Sequence, residues 1–148
     1  MNLAEAFKAR LEQHRERLEA LAGEGLRLSR PESREEPPRN KFSLKGRNSG
    51  IVVVHFSLTP VGEYGGTVVM HWLEVDENYR NRGIGTLLHR MWSEAVKDAR
   101  YNVLLATTRA DNDHEIHLLQ KEGGWRRLDE FTNRMTGNDV LVWSKRVD

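Results

Sequence analysis

The sequence predicts an α/β fold: a mixed, mostly antiparallel twisted sheet flanked by helices, with an amphipathic helix ahead of it. Three observations predict this. Gly50 to Leu58 (GIVVVHFSL), Thr67 to Val75 (TVVMHWLEV) and Tyr101 to Thr107 (YNVLLAT) are extended, β-branched and aromatic runs of the kind strands prefer. Between the second and third, Ile84, Leu87, Leu88, Met91, Trp92, Ala95 and Ala99 recur at the spacing of a helix with one buried face. Glycine and proline clusters punctuate the chain between these runs.

The elements follow in order. Asn2-x-x-Glu5 has the form of a capping box. Leu3, Phe7, Leu11, Leu18 and Leu21 then make a narrow apolar stripe, interrupted by His14 and closed by Gly23. So narrow a stripe suits either a helix packed on its own sheet or a dimer arm, and a homodimer stays open at this point. Residues 24–49 read as a polar, proline-rich linker with room for short strands at Gly25 to Arg30 and Phe42 to Lys45. Its centre, Pro31 to Asn40, holds three of the chain's four prolines and no large apolar residue. Residues 50–148 form the core, opening on the Gly50 strand. The loop Thr59 to Gly66 makes a long hairpin into the Thr67 strand. After the long helix and the Tyr101 strand, Asp111-Asn112 offers a helix cap. A short helix carries Ile116, Leu118 and Leu119 and stops at Gly123-Gly124. Strands at Arg126 to Phe131 and Val140 to Val147, joined by a polar turn, complete the chain.

Composition narrows the function. The 148 residues suit one domain with a sizeable core. Residues 1–50 carry eleven Lys/Arg and eight Asp/Glu, and the remainder twelve and fourteen, so nucleic acid is not indicated by charge. No run is long and apolar enough to span a membrane and no leader is evident, so a cytoplasmic protein without membrane attachment is expected. The absence of cysteine excludes disulfides, cysteine-ligated metals and an acyl-cysteine intermediate.

The densest chemical signal is Val75 to Thr86 (VDENYRNRGIGT), the turn from strand to long helix. A helix start leaves about four backbone N–H groups without partners, and its dipole favours anions. Gly83 and Gly85 remove the Cβ atoms that would keep a phosphate away, while Arg80 and Arg82 add charge. The turn is neither G-x-x-x-x-G-K-[ST] nor G-x-G-x-x-G, so a nucleotide P-loop and a dinucleotide fold are both disfavoured.

The turn resembles the acetyl-coenzyme A signature of the GNAT-type N-acetyltransferases, Arg/Gln-x-x-Gly-x-Gly/Ala behind a V-x-P-x-Y-type lead-in. Val75, Tyr79, Arg80, Gly83, Ile84 and Gly85 match it, with Glu77 where proline is usual. The family's second motif, an Asn, a short helix with Leu-Tyr and then Gly-Phe, is met by Asn112, Leu118, Gly123 or Gly124, and Trp125. Its tyrosine, which often protonates the leaving thiolate, is replaced by Leu119 or Gln120. The resemblance covers residues 50 to 147. It implies a GNAT-like fold, acetyl-CoA as cosubstrate with no metal, and direct acetyl transfer to a primary amine of an unidentified small molecule or protein. The cofactor is expected on Leu73, Val75, Arg80, Asn81, Arg82, Gly83, Ile84, Gly85, Thr86 and Asn112. The alternative is a non-catalytic module that binds acetyl-CoA or CoA. The helix pair that usually precedes the family's second strand has no room between Pro31 and Gly50, so the acceptor side is expected from loops 31–49 and 59–66.

Catalytic candidates are His71 and Glu74, with Glu63 and Tyr64 in the hairpin loop behind them. His71 has the pKa range of a general base, and Glu74 ends the strand. Strict alternation puts Val69, His71, Leu73 and Val75 on one face and Met70, Trp72 and Glu74 on the other, so only a bulge lets both candidates serve one acceptor. His114 and His117 stand at i, i+3 rather than the i, i+4 of zinc-binding helices, and no metal is expected.

Overall fold

The computed structural model describes residues 2–29, 40–61 and 66–148. One sheet runs through the molecule, with strands β1 (Leu26–Ser29), β2 (Asn40–Gly46), β3 (Val52–Val61), β4 (Thr67–Val75), β5 (Val103–Arg109), β6 (Trp125–Thr132) and β7 (Asp139–Arg146). Their spatial order is β1-β2-β3-β4-β5-β7-β6, and every pairing is antiparallel except β4 with β5. The three helices are α1 (Leu3–Ala22), α2 (Ile84–Asp98) and α3 (Asp113–Glu122). The boundary expected at residue 50 falls inside this sheet, because β1 and β2 continue it.

The ends of α1 form as the sequence predicts. Glu5 N–H donates to Asn2 Oδ1 at 2.8 Å, Asn2 N–H donates to Glu5 at 3.2 Å, and Gly23 closes the helix at φ +81°. Its stripe packs on the sheet of its own chain. Phe7 lies 5.1 Å from Phe42 of β2 and 5.0 Å from Phe56 of β3, and Trp92 of α2 reaches Phe56 at 4.7 Å. Thus α1 and α2 share one sheet face and one aromatic core. Arg10 fastens them at the rim, 2.5 Å from Glu94 and 2.6 Å from Asp98.

Two boundaries differ from expectation. β3 continues through Thr59, Pro60 and Val61, which were expected in the hairpin loop, because all three pair with Thr67 to Val69. β2 reaches back to Asn40, since Asn40 and Lys41 pair with Leu58 and Ser57. Glu63, Tyr64 and the segment Pro31 to Arg39 lie outside the described residues.

The alternation expected along β4 is also broken. Trp72 opposes Ser57 and Met70 opposes Leu58, so His71 is an extra residue, a β-bulge. The bulge shifts the parity: Val68 and Met70 face the helices before it, and Leu73 and Val75 after it. Pairing with β5 stops at the same place, at Met70 with Ala106. From there β4 runs on to Val75 and β5 to Arg109 without pairing to each other, and the sheet splays open.

Candidate active site

The splay is one side of a cleft of about 730 Å³. Leu73, Glu74 and Val75 of β4 form one wall. Tyr79, Arg80 and Asn81 with Gly83 to Thr86 form the lip, and Asn112 and α3 form the opposite wall. The bulge explains the opening: β4 residues past it keep β3 as a partner but lose β5, so their β5-facing backbone groups have no strand to bond.

The lip is built for an anion. A single 3-10 turn, Glu77–Tyr79, follows β4 and is capped by Asp76, whose carboxylate accepts from Asn78 N–H at 3.0 Å. The chain then crosses the left-handed region at Asn81 (φ 62°) and Gly83 (φ 88°) before entering α2. Gly83 is the N-cap and brings no side chain to the first turn, so the N–H groups of Ile84, Gly85 and Thr86 have no capping oxygen. A Cβ built on Gly85 would come within 3.5 Å of Leu118 and 3.9 Å of both Leu73 and Val75, so a larger side chain there projects into the cleft.

Of the residues expected to hold the cofactor, Leu73, Val75, Arg80, Asn81, Gly83, Ile84, Gly85, Thr86 and Asn112 all line the cleft. Arg82 does not. Its guanidinium donates to Ala22 O at 3.1 Å and Asn78 O at 3.0 Å and lies 5.0 Å from the Tyr79 ring centre. It ties the lip to the end of α1 rather than offering a charge to the cleft. Tyr79 makes the parallel connection, donating its hydroxyl to Glu24 at 3.0 Å. Glu24 also accepts from the backbone N–H groups of Asn48 and Ser49, and these bonds, that from Ser49 foremost, hold its carboxyl below the usual range.

The two catalytic candidates are separated. Glu74 lines the cleft with its side chain 64% exposed, and its carboxylate sits 3.0 Å from His55 Nε2 across the β3–β4 pair. His71, in the bulge, does not line it; its Nε2 lies 2.8 Å from Thr59 Oγ1. His55 was not predicted as part of the site. Only the strand register, which sets His55 opposite Glu74, reveals it.

On α3, Asn112 caps the helix by accepting from Glu115 N–H at 3.2 Å. His114, Glu115, His117, Leu118 and Lys121 face the cleft. Of the two residues at the place of the family's tyrosine, Leu119 is fully buried, and Gln120 is exposed and outside the lining. Among the described residues no group of three His, Cys, Asp or Glu is arranged to hold a metal, and no helix is long and apolar enough to cross a membrane.

Comparison with known proteins agrees with this geometry. The family described as "Acetyltransferase (GNAT) family" matches residues 7–125. Nourseothricin acetyltransferase superposes with a TM-score of 0.64 at 17% identity, covering 78% of this chain and 69% of that one. The ribosomal-protein-S18-alanine N-acetyltransferase of Escherichia coli gives 0.61 at 16%, covering 74% and 70%. A GNAT family acetyltransferase from Elizabethkingia anophelis with acetyl-CoA bound gives 0.62 at 20%, covering 73% and 76%. At these identities the likeness is one of fold. No curated protein sequence matches the chain.

Proposed function

Since this chain belongs to the GNAT acetyltransferase family, we propose that it transfers an acetyl group from acetyl-CoA directly to a primary amine, with Glu74 as the general base. The observation that carries the proposal is the coincidence of three features in one cleft: a splayed strand pair, an uncapped helix start, and a solvent-facing carboxylate between them. The residues present fit the cosubstrate. The first-turn N–H groups of α2 and Arg80, which is steadied by donating Nε to Val75 O at 2.9 Å, suit its diphosphate, and the edge of β4 that β5 leaves unpaired beyond Met70 suits its amide-bearing arm. Acetyl-CoA supplies an activated thioester, so the protein needs no acyl-enzyme, consistent with the absence of cysteine.

The chain's own contribution is orientation and proton handling. An amine attacks only as its free base, so an ammonium acceptor must lose a proton at the mouth of the cleft. Of the two carboxylates that line the cleft among the described residues, Glu115 is engaged by His89 and Glu74 faces solvent, held by His55 at 3.0 Å. His71 has a different part, since the bulge it creates opens the sheet. With Leu119 buried and Gln120 outside the lining, the departing thiolate takes its proton from water or from the acceptor nitrogen, which carries a surplus proton once it has attacked.

That same buried leucine is the observation favouring the second reading, a module that binds acetyl-CoA without turning it over. One experiment separates them. Calorimetry with acetyl-CoA is paired with release of free CoA thiol across a panel of small amines, peptide N-termini and lysine peptides. Binding with amine-dependent release supports the enzyme; binding without release for any acceptor supports the module.

A further inference from the structure

α2 and α3 meet along a seam beside the cleft. Gly85 and His89 stand one turn apart on α2 and so present the same side, as Glu115, Leu118 and Glu122 do on α3. At the open end of the seam Leu118 stands against Gly85. One turn further in, His89 is 1% exposed, with Nε2 3.0 Å from Glu115 Oε1 and Nδ1 3.4 Å from Glu122 Oε2. Two carboxylates of one helix therefore bracket a single imidazole of the other. Glu115 is itself part of the cleft wall. Glu122 is fixed from its far side by Lys145 Nζ of β7 at 2.8 Å, Trp125 Nε1 of β6 at 2.7 Å and Ser93 Oγ at 2.9 Å. The Trp92 ring closes the site 5.1 Å from the imidazole. Among the described residues, Glu115, Glu122 and, behind Glu122, Lys145 are the charged groups facing the ring.

Neutral imidazole has one N–H and can serve only one of two carboxylates; with that N–H on Glu115, a ring lone pair would face Glu122 Oε2 at 3.4 Å, a repulsion that Lys145, on the other oxygen, relieves only in part. Imidazolium has a donor for each. We propose that His89 is a positioning residue for the cofactor, a buried cation that locks α3 onto α2 and so fixes the wall against which coenzyme A packs. This rests on the assignment of the cleft to acetyl-CoA made above. Burial by itself favours the neutral ring, but the hydrogen bond to Glu115 and the charges of Glu115 and Glu122 outweigh it and raise the pKa to about 9. The lock is therefore closed at neutral pH and opens as pH rises through that value. An opened seam leaves α3 to be ordered on binding, which lowers the apparent affinity in proportion to the locked fraction.

The test is calorimetry of the full chain with acetyl-CoA, which has no thiol to titrate, in wild type and His89→Gln. Wild-type affinity should fall about tenfold between about pH 7.5 and about pH 10, an ordinary size for coupling between two sites. His89→Gln should bind about tenfold more weakly at the lower pH and lose most of that pH dependence. Amide protection over residues 113–122 should fall in the variant at the lower pH and in wild type at the higher. Equal affinities, or the same pH slope in both proteins, overturn the inference while leaving the cleft assignment standing. If His89→Gln does not fold, wild type alone decides: flat affinity or undiminished α3 protection refutes the lock, and a joint fall supports it. A wild type that binds no acetyl-CoA at any pH overturns the cleft assignment, and this inference with it.

Discussion

At the scale of single residues the lip of the cleft separates two kinds of glycine. Gly83 holds φ 88°, which other residues adopt only under strain, so Gly83→Val should damage both binding and the local backbone. Gly85 is helical, and a Cβ built there already meets Leu118, Leu73 and Val75 at van der Waals distance, so the further methyls of Gly85→Val should fill the space a diphosphate needs at some cost in packing against that wall. Calorimetry should show binding lost in a variant that still unfolds cooperatively, and undiminished affinity in Gly85→Val would sink the cofactor assignment. Glu74→Gln should lower kcat at least about a hundredfold, the usual lower yield of one acid–base group, with little effect on acetyl-CoA affinity. A kcat within a few-fold of wild type would remove Glu74 from the proton path. Leu119→Tyr is a third case. Because Leu119 is fully buried, a tyrosine at this one of the two possible places should not create an acid but overpack the core, at about 1–3 kcal/mol, read as a lower melting temperature without faster turnover. The place of Gly83 and Gly85 at the turn into α2 was legible in the sequence because a strand–turn–helix junction fixes their environment locally. Glu74's partner was not, because His55 lies nineteen residues upstream and only the register of β3 on β4 brings it near.

At the scale of elements, the bulge in β4 and the seam between α2 and α3 determine what the cleft can be. Period-two alternation along β4 misplaced the residues around His71, since one extra residue reverses parity for everything after it. Nothing in TVVMHWLEV announces that residue, because a bulge is a relation between two strands. The seam was hidden for a related reason. His89 reads as a polar residue on an amphipathic helix, and its burial follows from Glu115 and Glu122 arriving from another element. Its stability effects have definite signs. Burial alone would raise the pKa of Glu122, but bonds from His89, Lys145 and Trp125 outweigh it and hold the carboxyl at about 2. Its stabilising contribution is therefore complete above its ordinary value of 4.5 and is lost as pH falls through 2. His89 acts oppositely: its contribution is complete below 6.5 and disappears as pH rises through about 9. Glu122→Gln leaves His89 and Lys145 short of a counter-charge in a buried site and should cost about 3–5 kcal/mol at neutral pH. Chemical denaturation across pH should show wild-type stability falling at both extremes and the variant's acid limb flattened; a loss below about 1 kcal/mol would show the cluster to be well solvated.

At the scale of the whole molecule, the N-terminal helix stabilises the core and also holds the lip of the cleft. The sequence left its stripe open between a cover for its own sheet and a dimer arm, because a two-residue-wide stripe fits both. The structure puts Leu3, Phe7, Leu11 and Leu18 in the common core, with Phe7 between Phe42 and Phe56. The end of α1 reaches the lip twice, through Ala22 O to Arg82 and through Glu24 to Tyr79. Two graded changes follow. Phe7→Ala should cost about 3–5 kcal/mol through the cavity it leaves in an aromatic cluster. Arg82→Ala should leave global stability nearly unchanged and weaken acetyl-CoA binding by loosening the lip, since Arg82 makes no contribution to the lining. Removing residues 1–22 combines both effects: it uncovers Phe42, Phe56 and Trp92 and takes away the Ala22 carbonyl that anchors Arg82, leaving the lip only its link to Glu24. Light scattering and calorimetry on the truncated chain should show aggregation or lost cooperativity together with lost cofactor binding. A soluble, cooperatively folded monomer that still binds acetyl-CoA would mean that α1 belongs to an assembly interface rather than to this core.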